Sequence, residues 1–301
     1  MDKHAGPPAP TSFRVPAVRH LCWMCQAEQL LDDRLCFAPS AYLNAEVWER
    51  LRAWDQHPEL GPRVLTEPAH RRLGLYFEQL YACLMRDLLG WQILAQNLPV
   101  RSQGRTLGEL DLVLRNPLSG EIEHHEVAVK FYLGYRPDQQ TEMLWYGPNP
   151  SDRLDLKVAR MREQQSQRGQ LQEARSALAA AGIDRLDRAR VFMPGYLFQP
   201  VSSQSPPEGP HWMYLQQADL LPREHWVVLR KPHWLGPWVQ DQPPQSCEVD
   251  LAMEQVRLSA TPRLFALLGW SANANAWVET SRCFVVPPHW PAREPAVSLD
   301  L

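Results

Sequence analysis

Glu109, Asp111, Glu126 and Lys130 fall at alternate positions of two short runs, Gly108-Glu-Leu-Asp-Leu-Val-Leu114 and His124-His-Glu-Val-Ala-Val-Lys-Phe-Tyr132. Alternating polar and apolar residues predict half-buried strands, and Asn116-Pro-Leu-Ser-Gly120 between them predicts a hairpin. Strand side chains alternate faces, so the three carboxylates and the lysine share one side. Leu110, Leu112, Leu114, Val127, Val129 and Phe131 form the core side, and burying it fixes the register. The loop then puts Asp111 across from Glu126 and Glu109 across from Ala128. Opposed residues have Cβ atoms roughly 4.5–5.5 Å apart, and like charges at that spacing destabilise a sheet. A divalent cation converts the repulsion into ligation, because Mg²⁺ takes one or two carboxylates together with waters and phosphate oxygens. Bound there, a metal polarises a phosphoryl group and lowers the pKa of a water, the requirements of phosphodiester hydrolysis. Lys130 then stabilises charge on the phosphate. The plainer alternative is a solvated sheet face carrying scattered charges.

Other residues bear on the same chemistry. Glu78 stands beside an apolar stripe containing Phe77 and Leu80, which makes it a candidate third ligand or supporting acid. Arg153, Lys157, Arg160 and Gln164 recur at helical spacing and predict a basic face able to touch phosphates. His124 shares the carboxylate side and is a candidate general base or a polar rim residue. Cys22-x2-Cys25 is half of a zinc site, with His20 and Cys36 as the nearby completing residues and a packed helical turn as the alternative. Trp212, Trp226, Trp234, Trp238, Trp270, Trp277 and Trp290 are either core residues or stacking platforms for single-stranded bases.

The elements that must position these groups follow from periodicity and punctuation. Residues 1–14 are Pro-rich and predict a disordered tail. Helices are expected at 19–31, at 44–57 with Asn44 as N-cap, and at 70–89 ending at Gly90. A strand at 91–95 precedes the hairpin. A long helix should run from 152 to about 181, with a break near Gly169, followed by a strand at 190–198. Residues 200–210 read as a linker. Short strands at 212–215, 226–229 and 283–286 surround a helix at 249–268. The expected fold is α/β, a mixed sheet flanked by helices. It divides into an N-terminal helical segment (15–65), a core (66–200) and a Trp/Pro-rich C-terminal extension (201–301).

Composition sets the outer limits. The chain has 301 residues, 45% hydrophobic and 22% charged, enough apolar material for a sizeable core. Its net charge of −3 leaves nucleic-acid binding to a local basic patch. The start lacks the apolar segment of a secretory signal, and no apolar run is long enough to span a bilayer. Six cysteines are too sparse for a disulfide scaffold, so a cytoplasmic location is expected.

The order of Glu78 on a helix, Gly108-Glu-Leu-Asp111 on a strand, a Glu/Lys strand ending at Lys130 and then a long polar helix resembles the PD-(D/E)XK nuclease superfamily. Its pattern is helix–strand–strand–strand–helix–strand. More narrowly, His125-Glu-Val-Ala-Val-Lys-Phe-Tyr-Leu133, Tyr146-Gly-Pro-Asn149, Asp152-Arg-Leu-Asp-Leu-Lys157, Gly195-Tyr-Leu-Phe198 and Phe284-Val-Val-Pro287 resemble an uncharacterised bacterial family placed in that superfamily. This narrower likeness covers most of the chain. The resemblance implies a restriction-endonuclease-like core, a Mg²⁺ or Mn²⁺ cofactor and a DNA substrate. Asp111 matches the motif aspartate and Lys130 its lysine. Some members place a glutamine on the following helix, which points to Gln164 or Gln165 with Arg160 and Lys157 as substrate contacts. The acidic residue expected two positions before the lysine is Ala128 here. Either Glu126 or Glu109 fills the vacancy, with Glu78 assisting, or the chain is a catalytically inactive nucleic-acid- or protein-binding module on the same fold.

Overall fold

The computed structural model describes residues 6–136, 142–162, 168–201 and 209–291. Among them lie helices α1 (Pro16–Gln26), α2 (Ala45–Gln56) and α3 (Leu73–Cys83), followed by strands β1 (Gln92–Ser102), β2 (Arg105–Arg115), β3 (Ile122–Val127), β4 (Lys130–Tyr135) and β5 (Leu144–Tyr146). Then come α4 (Leu154–Arg160), α5 (Gln172–Ala180), β6 (Arg188–Phe192), β7 (Gly195–Pro200), β8 (His211–Tyr214), α6 (Leu215–Ala218), β9 (Trp226–Leu229), β10 (Val239–Gln240), α7 (Ser246–Ser259), β11 (Arg263–Ser271) and β12 (Ala276–Val286). The fold is α/β, with mixed sheets flanked by helices. No helix among the described residues is long and apolar enough to cross a membrane.

Two compact units interleave along the chain. The first comprises Met1–Lys130 and Val158–Gly195, the second Phe131–Lys157 and Tyr196–Leu301. Boundaries drawn by composition at 66–200 and 201–301 run in sequence order and do not follow this interleaving.

The first unit is built on a four-stranded sheet in the order β1–β2–β3–β6. The first three strands are antiparallel neighbours, and β6 runs parallel to β3. The hairpin joining β1 to β2 turns at Gln103 and Gly104, both at positive φ, as a two-residue turn requires. Strand β1 is far longer than the 91–95 expected. It accommodates Pro99 because β1 is an edge strand, where a missing N–H is tolerated. Asn44 caps α2 as expected, its Oδ1 accepting from the Val47 amide at 3.1 Å. The N-terminal residues differ from a disordered tail: Phe13 is buried, and the Arg14 and Val15 amides both donate to Asp55 Oδ1.

Helix α3 covers one face of the sheet. Phe77 stacks on Phe192 at 6.0 Å between centroids, and Tyr81 stacks on the same ring at 4.7 Å. A second apolar cluster joins Ala174 and Leu178 of α5 to Val113 and Ile122. Every residue of β3 is buried in consequence. The alternative of a solvated charged face does not hold for β3: both of its sides are covered, because α5 and the turn before it occupy the second side, while Glu109 of β2 stays exposed.

Two expected strands each prove to be two. The run at 124–132 breaks at Ala128 and Val129, and the run at 190–198 breaks at 193–194. The breaks lie side by side, with the Ala128 amide donating to Phe192 O at 3.0 Å and the Lys130 amide to Pro194 O at 3.2 Å. Pro194 has no N–H to continue a ladder. Gly195 follows because any Cβ there would run into the Lys130 carbonyl. The long helix at 152–181 is likewise divided, with a 3₁₀ turn at Arg168–Gln170 before α5.

In the second unit an eight-stranded sheet runs β5–β4–β7–β8–β12–β11–β9, with β10 paired to β12. Helix α7 packs on it through Val249, Ala252, Met253 and Val256 against Met213, Phe265 and Val285. The helix expected to reach Leu268 stops at Ser259. Ala260 adopts a left-handed conformation and Pro262 ends the helical ladder, and residues 264–268 then form part of β11.

Gly195 and Gly74 provide a paired test. A Gly195→Val chain should lose roughly 1–3 kcal/mol in urea unfolding through overpacking. Gly74→Ala, with nothing within 4 Å of the new Cβ, should be neutral or gain up to about 1 kcal/mol from helix propensity.

Candidate functional site

The β2–β3 register is the one read from the sequence. Leu112 pairs with His125, Val113 with His124 and Leu114 with Glu123. One step beyond the last pair, Asp111 takes over from the backbone: its Oδ2 accepts the Val127 amide at 2.9 Å. This bond anchors the Asp111 carboxylate at the C-terminal end of β3, next to Glu126.

Strand β3 buries Glu123, His124, His125 and Glu126, each at most 2% exposed. On the α3 side a hydrogen-bonded chain satisfies them. His125 Nδ1 lies 2.7 Å from the Tyr81 hydroxyl, and its Nε2 lies 3.2 Å from Glu123 Oε2. A neutral ring protonated on Nε2 donates to the carboxylate and accepts from Tyr81. Asn116 Nδ2 and Arg190 Nε also donate to Glu123, at 3.2 and 3.3 Å. Burial pushes the Glu123 pKa up, but the hydrogen bonds from His125 and Asn116 and the charges of His125 and Arg190 outweigh it and bring it down to about 2. Burial pushes His125 down and Tyr81 up.

On the other side of β3, Glu126 Oε2 lies 3.5 Å from His124 Nε2 and 3.9 Å from Arg168 Nη1. Burial, with the charges of His125 and Arg168, pushes His124 down to about 3. It is therefore neutral near pH 7. Arg168 is the residue that sequence reasoning missed. Its guanidinium lies flat on the Gly108 backbone and donates to Glu109 O at 2.8 Å. A Cβ on Gly108 would stand 2.6 Å from Arg168 Cζ and displace the guanidinium, and its φ of +150° favours glycine there. Gly108 is the one sequence signal for a close approach at this point.

Glu78 projects from α3 toward the same carboxylates. Burial raises its pKa, and the charge of Asp111 raises it further; a hydrogen bond from Asn97 opposes this, and Glu109 adds to the rise. Asn97 sits in β1 with φ 51° and was not singled out by the sequence. Glu109 is exposed, Asp111 half-buried, and Lys130 half-buried at the start of β4.

The remaining expectations are distributed as follows. Arg153 precedes α4 and is neutralised by Asp155, with Nη2 2.6 Å from Oδ2, while it also covers the Tyr146 ring. The expected basic face thus loses its first member. Lys157 is half-buried and Arg160 exposed, both on α4. Gln164 and Gln165 lie outside the described residues. Cys22 and Cys25 are buried in α1, where burial pushes Cys22 up to about 12 and raises Cys25 as well; such thiols do not ionise near neutrality. Trp212, Trp226 and Trp290 are buried, and Trp270 is exposed.

No group of three or more His, Cys, Asp and Glu among the described residues is arranged to hold a metal. Mg²⁺ needs fewer, because water and substrate oxygens complete its octahedron. Asp111, with one oxygen held by the Val127 amide, and the neighbouring Glu126 are the carboxylates whose placement suits such an ion.

Residues 19–286 match the family model described as a domain of unknown function, DUF1853. No curated protein and no solved structure matches the chain.

The raised Glu78 pKa implies a definite pH dependence. The folded chain holds the Glu78 proton more tightly than the unfolded chain. Stability from this group is therefore full below the ordinary carboxylate pKa of about 4.3 and is lost as pH rises through the raised value. Glu78→Gln should raise the melting temperature at neutral pH, and the gain should fade toward acid pH. A gain that is constant with pH contradicts the assignment.

Proposed function

The chain belongs to the DUF1853 family, and we propose that its first compact unit is a metal-dependent nuclease that hydrolyses DNA phosphodiester bonds. The observation that carries this reading is the Asp111 carboxylate, held by the Val127 amide at 2.9 Å beside the buried Glu126; burial and then the Asp111 charge raise Glu78. With β4, β5 and α4 inserted between β3 and α5, the elements α3, β1, β2, β3, α5 and β6 follow one another in the helix–strand–strand–strand–helix–strand sense of restriction-endonuclease-like cores, which supports it. So does Asp111 at the end of β3, with Lys130 three residues past the amide that it binds.

Asp111 would hold Mg²⁺ or Mn²⁺ together with Glu78 or Glu126, and Glu109 stands at the exposed margin. The metal, when bound, polarises the phosphoryl group and lowers the pKa of a water. The rest is the work of the chain itself. The Val127 amide fixes one Asp111 oxygen, and the neighbouring Ala128 and Lys130 amides are tied to β6 and to Pro194. Gly195 keeps the Lys130 backbone closely held. Lys130 offsets negative charge on the phosphate. Arg168 sets the position of Glu126 and the Gly108–Glu109 backbone. His124, neutral and buried, is placed to orient Glu126 rather than to act as a base.

Ala128 favours a second reading, a module on the same fold that binds nucleic acid or protein without cutting. It occupies the motif's acidic position, at the break between β3 and β4.

The test is incubation of purified protein with plasmid and with single-stranded DNA in Mg²⁺ or Mn²⁺. The parent should cut, and Asp111→Ala and Lys130→Ala should each lose about 100-fold or more, the scale of losing one electrostatic stabiliser. Equal activity of parent and variants sinks the nuclease assignment. Absence of cutting with DNA binding retained selects the second reading.

A further inference from the structure

The second compact unit contains a cavity of about 940 Å³ that the proposed chemistry does not use. Its size is that of a ligand site, roughly 300–1,000 Å³. Arg230, Lys231 and Arg263 line it. Their placement is costly. Leu229 of β9 pairs with Leu264 of β11, so Arg230 and Arg263 are the next residues at the same end of that ladder. Like charges facing each other across a ladder repel.

One carboxylate, Glu248, shares the cavity wall with these three cations, and among the described residues it pairs with none of them. Arg263 donates to neutral acceptors, Gln255 Oε1 at 3.3 Å and Pro262 O at 3.4 Å. Lys231 Nζ stands 4.6 Å from the Trp234 ring centroid, and burial lowers its pKa with no acidic neighbour acting on it. Among the described residues, none of the three forms an ion pair. Arginines elsewhere in this unit are treated differently. Arg223 bonds Asp219 and Asp250, Arg257 bonds Asp219 and Glu254, and Arg282 bonds Glu279. Uncompensated cations around a cavity call for an anion.

Flat apolar surfaces alternate with polar groups in the remaining walls. Trp234, Pro148 and Pro150 line the space together with Asn149, Gln255, Thr261 and His289, and Pro148 and Pro150 belong to the Tyr146-Gly-Pro-Asn-Pro150 stretch that no other function absorbs. Phosphates between cations and bases against aromatic and proline surfaces are the chemistry of single-strand binding.

We infer that this cavity binds a segment of single-stranded nucleic acid, with phosphates at Arg230, Lys231 and Arg263 and bases against Trp234 and the prolines. The inference rests on the nuclease reading for its choice of anion. It gives the second unit the task of holding strand while chemistry proceeds in the first.

The test is fluorescence anisotropy of a labelled thymidine oligonucleotide on the full chain in EDTA, where no cutting intervenes. The variant Arg230→Gln/Lys231→Gln/Arg263→Gln should bind about tenfold or more weakly. Its slope of log affinity against log salt should be shallower by about 2, the effect of three lost phosphate contacts. Equal affinity and slope in parent and variant overturn the inference while leaving the nuclease reading standing. Failure of the parent to bind any oligonucleotide overturns both. Displacement of the oligonucleotide by free thymidine monophosphate at comparable concentration also overturns it, because the site is then one for a nucleotide. Should the triple variant not fold, an oligonucleotide carrying 5-iodouracil is cross-linked to the parent chain. Adducts at Trp234 support the inference, and adducts confined to the first unit overturn it.

Discussion

Four consecutive titratable side chains, Glu123 to Glu126, are buried in a single strand, and the first unit is arranged around that fact. An unpaired buried charge costs several kcal/mol, so each face of β3 needs its own partners. On one face Tyr81, Asn116 and Arg190 complete a chain through His125 to Glu123. On the other, Arg168 reaches Glu126 from beyond a helix break, over a glycine that leaves room for it. The two solutions differ in kind. The first is closed and keeps His125 and Glu123 in one protonation state near neutrality. The second lies beside Asp111, whose charge adds to the burial that raises the Glu78 pKa.

That difference gives the strand a structural side and a chemical side. Tyr81, Phe77 and Phe192 lock α3 onto the sheet, and α3 in turn carries Glu78. The stacking that stabilises the unit therefore also sets the distance between Glu78 and the β2 carboxylates. Breaking β3 at Ala128 and β6 at Pro194 brings Lys130 to the start of a new strand. The Lys130 backbone is then held from one side by Pro194 and Gly195. The lost acidic position and the strand break coincide, so the geometry around Ala128 is that of a junction and not of a regular ladder.

The sequence revealed the local part of this arrangement. Alternation in Gly108–Leu114 and the short loop at 116–120 were enough to set Asp111 across from Glu126, because one residue of slip would have exposed the leucines. The stripe around Phe77 was enough to single out Glu78. What it could not reveal was long-range. Arg168 lies 60 residues from Gly108 in the chain, and a positive φ at glycine is the only trace of their contact. The second covered face of β3 depends on where α5 docks, which helix periodicity does not specify. The break at Ala128 has no signal of its own; it follows from Pro194 in the neighbouring strand. In the second unit the apolar run 264–268 continued a helical pattern, and tertiary pairing with β12 overrode it.

The central claim is that the carboxylates gathered around Asp111 form a cation site. Calorimetric titration of Mn²⁺ and Mg²⁺ into the parent chain and Asp111→Ala measures it directly, without reference to substrate. The expected result is saturable binding to the parent, weakened at least tenfold, about 1.4 kcal/mol, in the variant. Absence of binding to the parent, or equal binding by both chains, contradicts the claim.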